Sequence, residues 1–343
     1  WRLNASVYGI ITPYKGLNIE GTFNYSPTFT DKSSYSRQNG YWDYVTDQRV
    51  SESALENASI TNTSARTWRQ SAEILVRYNT TIKKDHDLGA LLGYSAQEYY
   101  SKSFAVSRKG ATDWTLNELS TYETLVSSSS SAPAKWGLLS YFGRVNYGYK
   151  GRYLFEANLR ADASSRFGVN QRWGYFPSFS GGWRISEEKF WSVLKPYVSS
   201  LKIRGSWGLV GNNRIGAYQY MQTVSVKNGI SFGDKLAQTA EFASTNPDLK
   251  WETTRMANIG FELGLLNNDL NITFDCFNNR TKDILVNLPV PGLFGNGAPI
   301  QNAGKVETRG WELSVSYRLK TGPVVHNFAG NISDSFNEVI DTR

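Results

Sequence analysis

From about residue 136 to the end, apolar and polar residues alternate over runs of eight to twelve positions. Trp311, Leu313, Val315, Tyr317 and Leu319 share one parity, and Glu312, Ser314, Ser316 and Arg318 share the other. A period of two is the spacing of a β-strand with one greasy and one wet face. About twelve strands are predicted, in six pairs. The pairs cover about 1–12 with 17–27, 68–82 with 87–100, 136–149 with 152–163, 174–186 with 199–210, 253–266 with 269–281, and 307–320 with 323–338. Turn residues separate the members of most pairs: Pro13-Tyr14-Lys15-Gly16, Lys83-Lys84-Asp85-His86, Lys150-Gly151, Asn267-Asn268 and Thr321-Gly322. The fourth pair has a somewhat longer link that holds Pro196.

Between pairs the connections are long and polar, at about 28–67, 101–135, 211–252 and 282–306, with 164–173 the shortest. Within 101–135, Ser127–Ser131 is a low-complexity run expected to be flexible. Strict alternation of short turns and long loops is the habit of an outer-membrane barrel, with turns on the periplasmic side and loops outside. The faces agree with that solvent arrangement. Tyr153, Phe155, Ala157 and Leu159 oppose Arg152, Glu156, Asn158, Arg160 and Asp162, and so many charged and amide groups suit a wet lumen better than a dry core. The fold expected is all-β, an antiparallel transmembrane β-barrel, here about twelve consecutive strands of a larger one. Two alternatives share the alternation: a passive porin or adhesin barrel, and a soluble β-sandwich glycan-binding module.

Composition sharpens the choice. Aromatics make up 14% of the chain, with 11 Trp, 20 Tyr and 17 Phe, a load that interfacial girdles would use. Trp173, Tyr175, Trp183 and Trp251 are expected at such a girdle, and Gly181-Gly182 at a bulge or bend. The mean hydropathy of −0.43 and the lack of any apolar run near 18 residues exclude a transmembrane helix but not a barrel. The formal charge of +7 is dispersed over strand faces and turns, which argues against nucleic-acid binding. With one cysteine, Cys276, and two histidines, His86 and His326, the chain offers neither an internal disulfide nor a four-ligand zinc site. Cys276 shares the parity of Leu270, Ile272 and Phe274 and is read as a small apolar residue.

No catalytic signature is present: G-x-S-x-G, a phosphate-binding glycine loop and H-E-x-x-H are all missing. Glu187-Glu188 reads as a solvated strand end, and His86 stands in a turn between Asp85 and Asp87. The chain is therefore expected not to be an enzyme and to carry no cofactor and no metal. The candidate ligand contacts are the aromatics of the polar loops, Tyr35, Tyr41, Trp42, Tyr44 and Trp114. Aromatic faces beside amides suit sugars or peptides.

Three stretches are more specific than periodicity: SSRFGVNQRWGYFPSFSGGWRISEEKFW from Ser164, LKIRGSWGLVGNNRIGAYQY from Leu201, and NPDLKWETTRMANIGFELGLLNNDLNITFDCFNNRTKDILVNLPVP from Asn246, followed by NAGKVETRGWELSVSY from Asn302. Together they resemble the barrel of SusC/RagA-type TonB-linked outer-membrane proteins, nutrient transporters of Bacteroidetes-like bacteria. The resemblance covers roughly 136–340. It implies the bacterial outer membrane, a barrel of about 22 strands with a plugged lumen, and TonB-dependent import of a large nutrient, an oligosaccharide or glycan or an oligopeptide. The partners implied are the inner-membrane TonB complex, reached through a plug region, a SusD-like surface lipoprotein acting as lid, and outer-membrane lipid. Residues 1–343 are expected to be part of one barrel domain, with the plug and the closing C-terminal strands absent from the chain.

Overall fold

The computed structural model describes residues 1–36, 41–50, 57–113, 116–232, 235–291, 293 and 297–342. Its strands are β1 (Ala5–Tyr14), β2 (Leu17–Ser36), β3 (Tyr41–Asp43), β4 (Gln48–Val50), β5 (Ser59–Ile82) and β6 (His86–Ala111). Next come β7 (Tyr122–Ser130), β8 (Ala134–Tyr149), β9 (Tyr153–Ser164), β10 (Trp173–Arg184), β11 (Val198–Asn212), β12 (Val224–Phe232) and β13 (Lys235–Phe242). The last are β14 (Glu252–Leu265), β15 (Leu270–Lys282), β16 (Leu285–Asn287), β17 (Ile300–Asn302), β18 (Lys305–Thr321) and β19 (Val324–Asp341).

One sheet runs in the order β1-β2-β5-β6-β8-β9-β10-β11-β14-β15-β18-β19, with β7 added against β6. These twelve path strands are the twelve that the alternation predicts. Three two-stranded hairpins, β3–β4, β12–β13 and β16–β17, stand outside it. β1 and β19 end the order with one partner each.

The chain falls into two compact units. One holds 1–8, 22–72 and 97–137; the other holds 9–21, 73–96 and 138–343. In the first unit, Ala58, Ile60, Ala111 and Tyr122 form a small buried cluster against Leu119. Here three expectations fail. Segment 28–67 is not one long loop: β2 runs on to Ser36, a β3–β4 hairpin follows, and β5 starts at Ser59. Segment 101–135 likewise holds the end of β6, then β7. The serine run is not flexible coil either, because Ser127–Ser130 pair with Phe104–Ser107. The reason is physical. Extended backbone rich in Thr, Tyr and Ser pairs perfectly well with both faces wet, and only a strand with one dry face shows alternation.

In the second unit the pairing is nearly unbroken, and cross-strand rows can be read directly. Tyr153, Trp183, Ile203, Phe261, Phe274, Leu313 and Ile332 form one row across seven strands, all greasy. The adjacent row on the other face is Leu154, Gly182, Arg204, Gly260, Asp275, Glu312 and Ser333. The greasy parity is not sealed by a second sheet. Ile259 is 63% exposed, Tyr175 63% and Ile332 59%, and Trp311, Leu313 and Val315 belong to no buried cluster. Leaving a large apolar side chain in water forgoes roughly 1.5–3 kcal/mol each, so a face of this size needs lipid. The sandwich alternative, which would bury these residues between sheets, is ruled out. Among the described residues no helix is long and apolar enough to cross a membrane; the strands carry the apolar surface.

The turns follow from backbone chemistry. Lys150 and Gly151 both take φ near +60°, as do Asn267 and Asn268, and the mirror-image turns so formed match strand twist. The expected bulge at Gly181-Gly182 is absent, since both neighbouring ladders keep register through it. The fourth link is two short 3-10 turns, Ile185–Glu187 and Lys189–Val193. The expectation for Trp251 also needs correction. Instead of lying at a girdle it is buried with Phe167, Phe176, Ile215 and Leu249, and its indole N–H donates to the Arg172 carbonyl at 2.8 Å. This cluster covers the feet of the long connections, where loops and not lipid exclude water. Trp173, Tyr175 and Trp183 are exposed on the greasy parity, as a girdle requires.

Candidate functional site: a charged polar wall

The polar parity of the second unit lines a concavity of about 1200 Å³. Asn79, Asn146, Glu156, Lys202, Arg204 and Asn258 contribute to it from neighbouring strands. Period two places these groups on one side, and the register brings them abreast. Arg204 of β11 donates through Nη2 to Asp275 of β15 at 2.6 Å, reaching across β14. Its Nε lies 3.1 Å from Glu262, an ion-pair approach without hydrogen-bond alignment. Lys202 meets the same Glu262 at 3.1 Å. The crossing is possible because residue 260 is glycine: a Cβ there would strike the Asp275 carboxylate and the Phe274 carbonyl. Further along, Arg160 holds Asp162 through Nε at 2.8 Å and donates to the Ser140 hydroxyl at 2.8 Å. Arg77 pairs with Glu20 at 2.6 Å. Paired charges fix a hydrophilic wall without a large net field and leave amide and hydroxyl groups to meet water or a polar ligand.

The sequence-derived aromatics are placed as follows. Tyr35 lies near the end of β2, where its hydroxyl donates to the Asn117 carbonyl at 3.3 Å. Tyr41 and Trp42 are backbone-paired with Val50 and Arg49 in the β3–β4 hairpin. Tyr44 stands at the tip of that hairpin, 89% exposed. The tip is set by Asp43, whose carboxylate accepts from the Val45 amide at 2.8 Å and the Thr46 hydroxyl at 2.9 Å. These bonds, led by the Val45 amide, hold the Asp43 carboxyl below its ordinary value. Tyr41, Trp42 and Tyr44 thus share one hairpin. Trp114 lies outside the described residues.

Two groupings were not legible in the sequence. In the first unit, the Arg69 guanidinium carbon sits 6.0 Å from the Tyr99 ring centre and 5.9 Å from that of Trp136. Those two rings stack at 5.3 Å. The three residues come from strands adjacent in the order but distant in sequence, so only the topology joins them. In the second unit, Glu188 is no solvated strand end. It accepts from the Tyr153 hydroxyl at 2.6 Å, the Arg152 guanidinium at 3.0 Å and the Trp183 indole at 3.2 Å. The Tyr153 hydrogen bond above all holds its carboxyl below the ordinary carboxylate value.

Comparison with known proteins agrees with this geometry. The family model described as TonB dependent receptor-like, beta-barrel matches residues 4–341. The chain is 33% identical over 273 residues to TonB-dependent receptor P39 of Formosa agariphila, covering 78% of this chain and 26% of that protein. It is 31% identical over 273 residues to TonB-dependent receptor SusC of Bacteroides thetaiotaomicron, covering 76% and 27%. The chain therefore spans about a quarter of the length of these relatives. Among solved structures, the RagAB peptide transporter aligns with a TM-score of 0.85 at 27% identity, over 99% of this chain and 36% of that one. The ferric citrate transporter FecA, at 11% identity and a TM-score of 0.58, covers 99% of this chain and 43% of its own, and shares the fold.

Proposed function

Because the chain belongs to the TonB dependent receptor-like β-barrel family, an outer-membrane family, we propose that it forms part of the barrel wall of a TonB-dependent importer of large nutrients. The observation that carries this reading is the seven-strand greasy row backed by the charged row of Arg204, Asp275 and Glu312. One side meets lipid and the other lines a wet passage. Residues 1–343 form one stretch of a single larger barrel, and a plug lies elsewhere in the full protein. The cargo is an oligosaccharide or oligopeptide, a size class for which an aromatic-rich mouth and a neutralised, hydrophilic wall are suited. Similarity to the RagAB peptide transporter supports the peptide class, and the aromatic faces beside amides in the polar loops suit either class. The partners of the full protein are a SusD-like surface lipoprotein and the TonB complex.

Within this reading Tyr35, Tyr41, Trp42, Tyr44 and Trp114 contact the cargo. The test is uptake of labelled oligosaccharide and oligopeptide by cells carrying the full-length protein, with and without collapse of the proton-motive force. Import of one class should cease on collapse. Import that continues unchanged would identify a passive pore. Alanine at Tyr44 and Trp114 should raise the half-saturating concentration for uptake while the amount of protein in the membrane stays constant.

A further inference from the structure

The link between β10 and β11 carries an apolar surface that the barrel does not need. Phe190 is 62% exposed, Val193 78% and Tyr197 76%, and Leu194 is exposed beside them. Four large apolar groups within eight residues of irregular backbone would be an unusual choice for a segment facing only water. The link is nevertheless held firmly. Trp191 donates its indole N–H to the Val198 carbonyl at 3.0 Å, closing the segment on itself. The Leu194 carbonyl accepts from the Tyr197 and Val198 amides at 3.0 and 2.8 Å.

Its direction is fixed by Glu188. The three donors of that carboxylate include Tyr153 and Trp183, which share the greasy parity and stack on each other at 6.2 Å. The link therefore folds toward the lipid side of the wall, next to girdle aromatics, and not toward the polar concavity. It belongs to the short-turn end, together with Lys150-Gly151, the end that faces the periplasm in an outer-membrane barrel. Exposed Lys189 and Lys195 flank the apolar groups, with Lys150 and Arg152 in the adjacent turn.

We propose that residues 187–197 form an interfacial anchor that lies in the periplasmic leaflet. Phe190, Val193, Leu194 and Tyr197 enter the boundary between headgroups and acyl chains, and Lys189 and Lys195 meet phospholipid phosphates. Apolar groups on one side and basic groups beside them are the chemistry by which non-spanning segments bind a membrane surface. Glu188 is the clamp that keeps the anchor at the right height, because it ties the segment to the two aromatics that mark the interface. The proposal rests on the lipid-facing reading of the wall and goes beyond it in assigning a non-spanning segment to the bilayer.

The test uses the full-length protein with Cys276→Ala, reconstituted in phosphatidylethanolamine–phosphatidylglycerol vesicles. Single cysteines at Phe190, Val193 and Tyr197 carry an environment-sensitive fluorophore. Leu313→Cys reports the greasy band and Asn331→Cys the polar parity. Lipids brominated near the headgroup should quench the three link positions more than lipids brominated deep in the chain, and Leu313 should show the reverse. Quenching at Leu313 without quenching at the link overturns the anchor, and leaves the segment to water or protein. No quenching at Leu313 would remove the membrane reading itself. Glu188→Gln should weaken quenching at Val193 while leaving that at Leu313 unchanged. An unaltered signal at Val193 would remove the clamp role.

Discussion

Trp311, Leu313, Val315 and Tyr317 occupy the same parity of β18 as Lys305, Glu307 and Arg309, in one unbroken ladder with β15. The neighbours change with them. Opposite the first group stand Cys276, Phe274, Ile272 and Leu270; opposite the second stand Lys282, Arg280 and Asn278. On β14 the same step separates Ile259 and Phe261 from Thr253 and Arg255. Backbone geometry is continuous through the step, so the difference is one of solvent. Below it the parity faces hydrocarbon. Above it Lys305 and Arg309 are exposed to water, and the buried Glu307 is tied by Asn278 at 2.8 Å and Arg309 at 2.7 Å. The lesson is that alternation reports where a strand has one dry side, and does not report where the strand ends.

Where water is excluded above the band, loops do the covering, and the cost of opening that cover should be the largest effect. Trp251→Ala removes the centre of the Phe167–Phe176–Leu249 cluster and should cost about 3–5 kcal/mol, read from urea unfolding in detergent. Within the band, Leu313→Arg should cost about 2–4 kcal/mol. Arg309→Leu, four residues away on the same parity and above the step, should cost much less. Equal losses at 313 and 309 would erase the step between the two regions. On the polar side, Gly260→Ala should cost about 1–3 kcal/mol by crowding Asp275 against the Phe274 carbonyl, visible as a lowered unfolding midpoint.

The smallest effect concerns acid. The Glu188 carboxyl is held below its ordinary value, 4.5, led by the Tyr153 hydroxyl. A depressed carboxylate contributes stability that is fully present above its unfolded value and lost as pH falls through the folded one. Protease sensitivity of the 187–197 link should therefore be flat from neutral pH down to the ordinary carboxylate range and rise only below it. Glu188→Gln should remove that rise.

These contrasts also explain what could be read from the residues alone. All twelve path strands were legible, because each has a stretch with one dry side. Turns at Lys150-Gly151 and Asn267-Asn268 were legible because φ > 0 selects residue types. The upper ends of β2, β5 and β6, and all of β7, were not, since Ser, Thr and Tyr dominate them and the few buried positions, Ile60, Ala111 and Tyr122, are too sparse to set a period. Trp251 was misplaced because a buried tryptophan and an interfacial one look alike until the loops that cover it are seen. The clamp on Glu188 joins residues 152, 153, 183 and 188 through the pairing of β9 with β10 and the link that follows β10, and no local pattern announces it. The ligand-contact aromatics remain a reading of composition, of which Tyr41, Trp42 and Tyr44 share a hairpin.

The central claim is that one parity of these strands meets lipid and the other meets water. It is tested most directly by a cysteine scan of every position from Lys305 to Leu319 in the full-length protein, reconstituted and labelled with a fluorophore. Each position is then challenged with a lipid-borne and a water-borne quencher. Lipid quenching should alternate with period two from Trp311 to Leu319, high at the odd positions and low at Glu312, Ser314, Ser316 and Arg318, and should fall away at Arg309, Glu307 and Lys305. Water-borne quenching as strong at Leu313 and Val315 as at Ser314 would contradict the account.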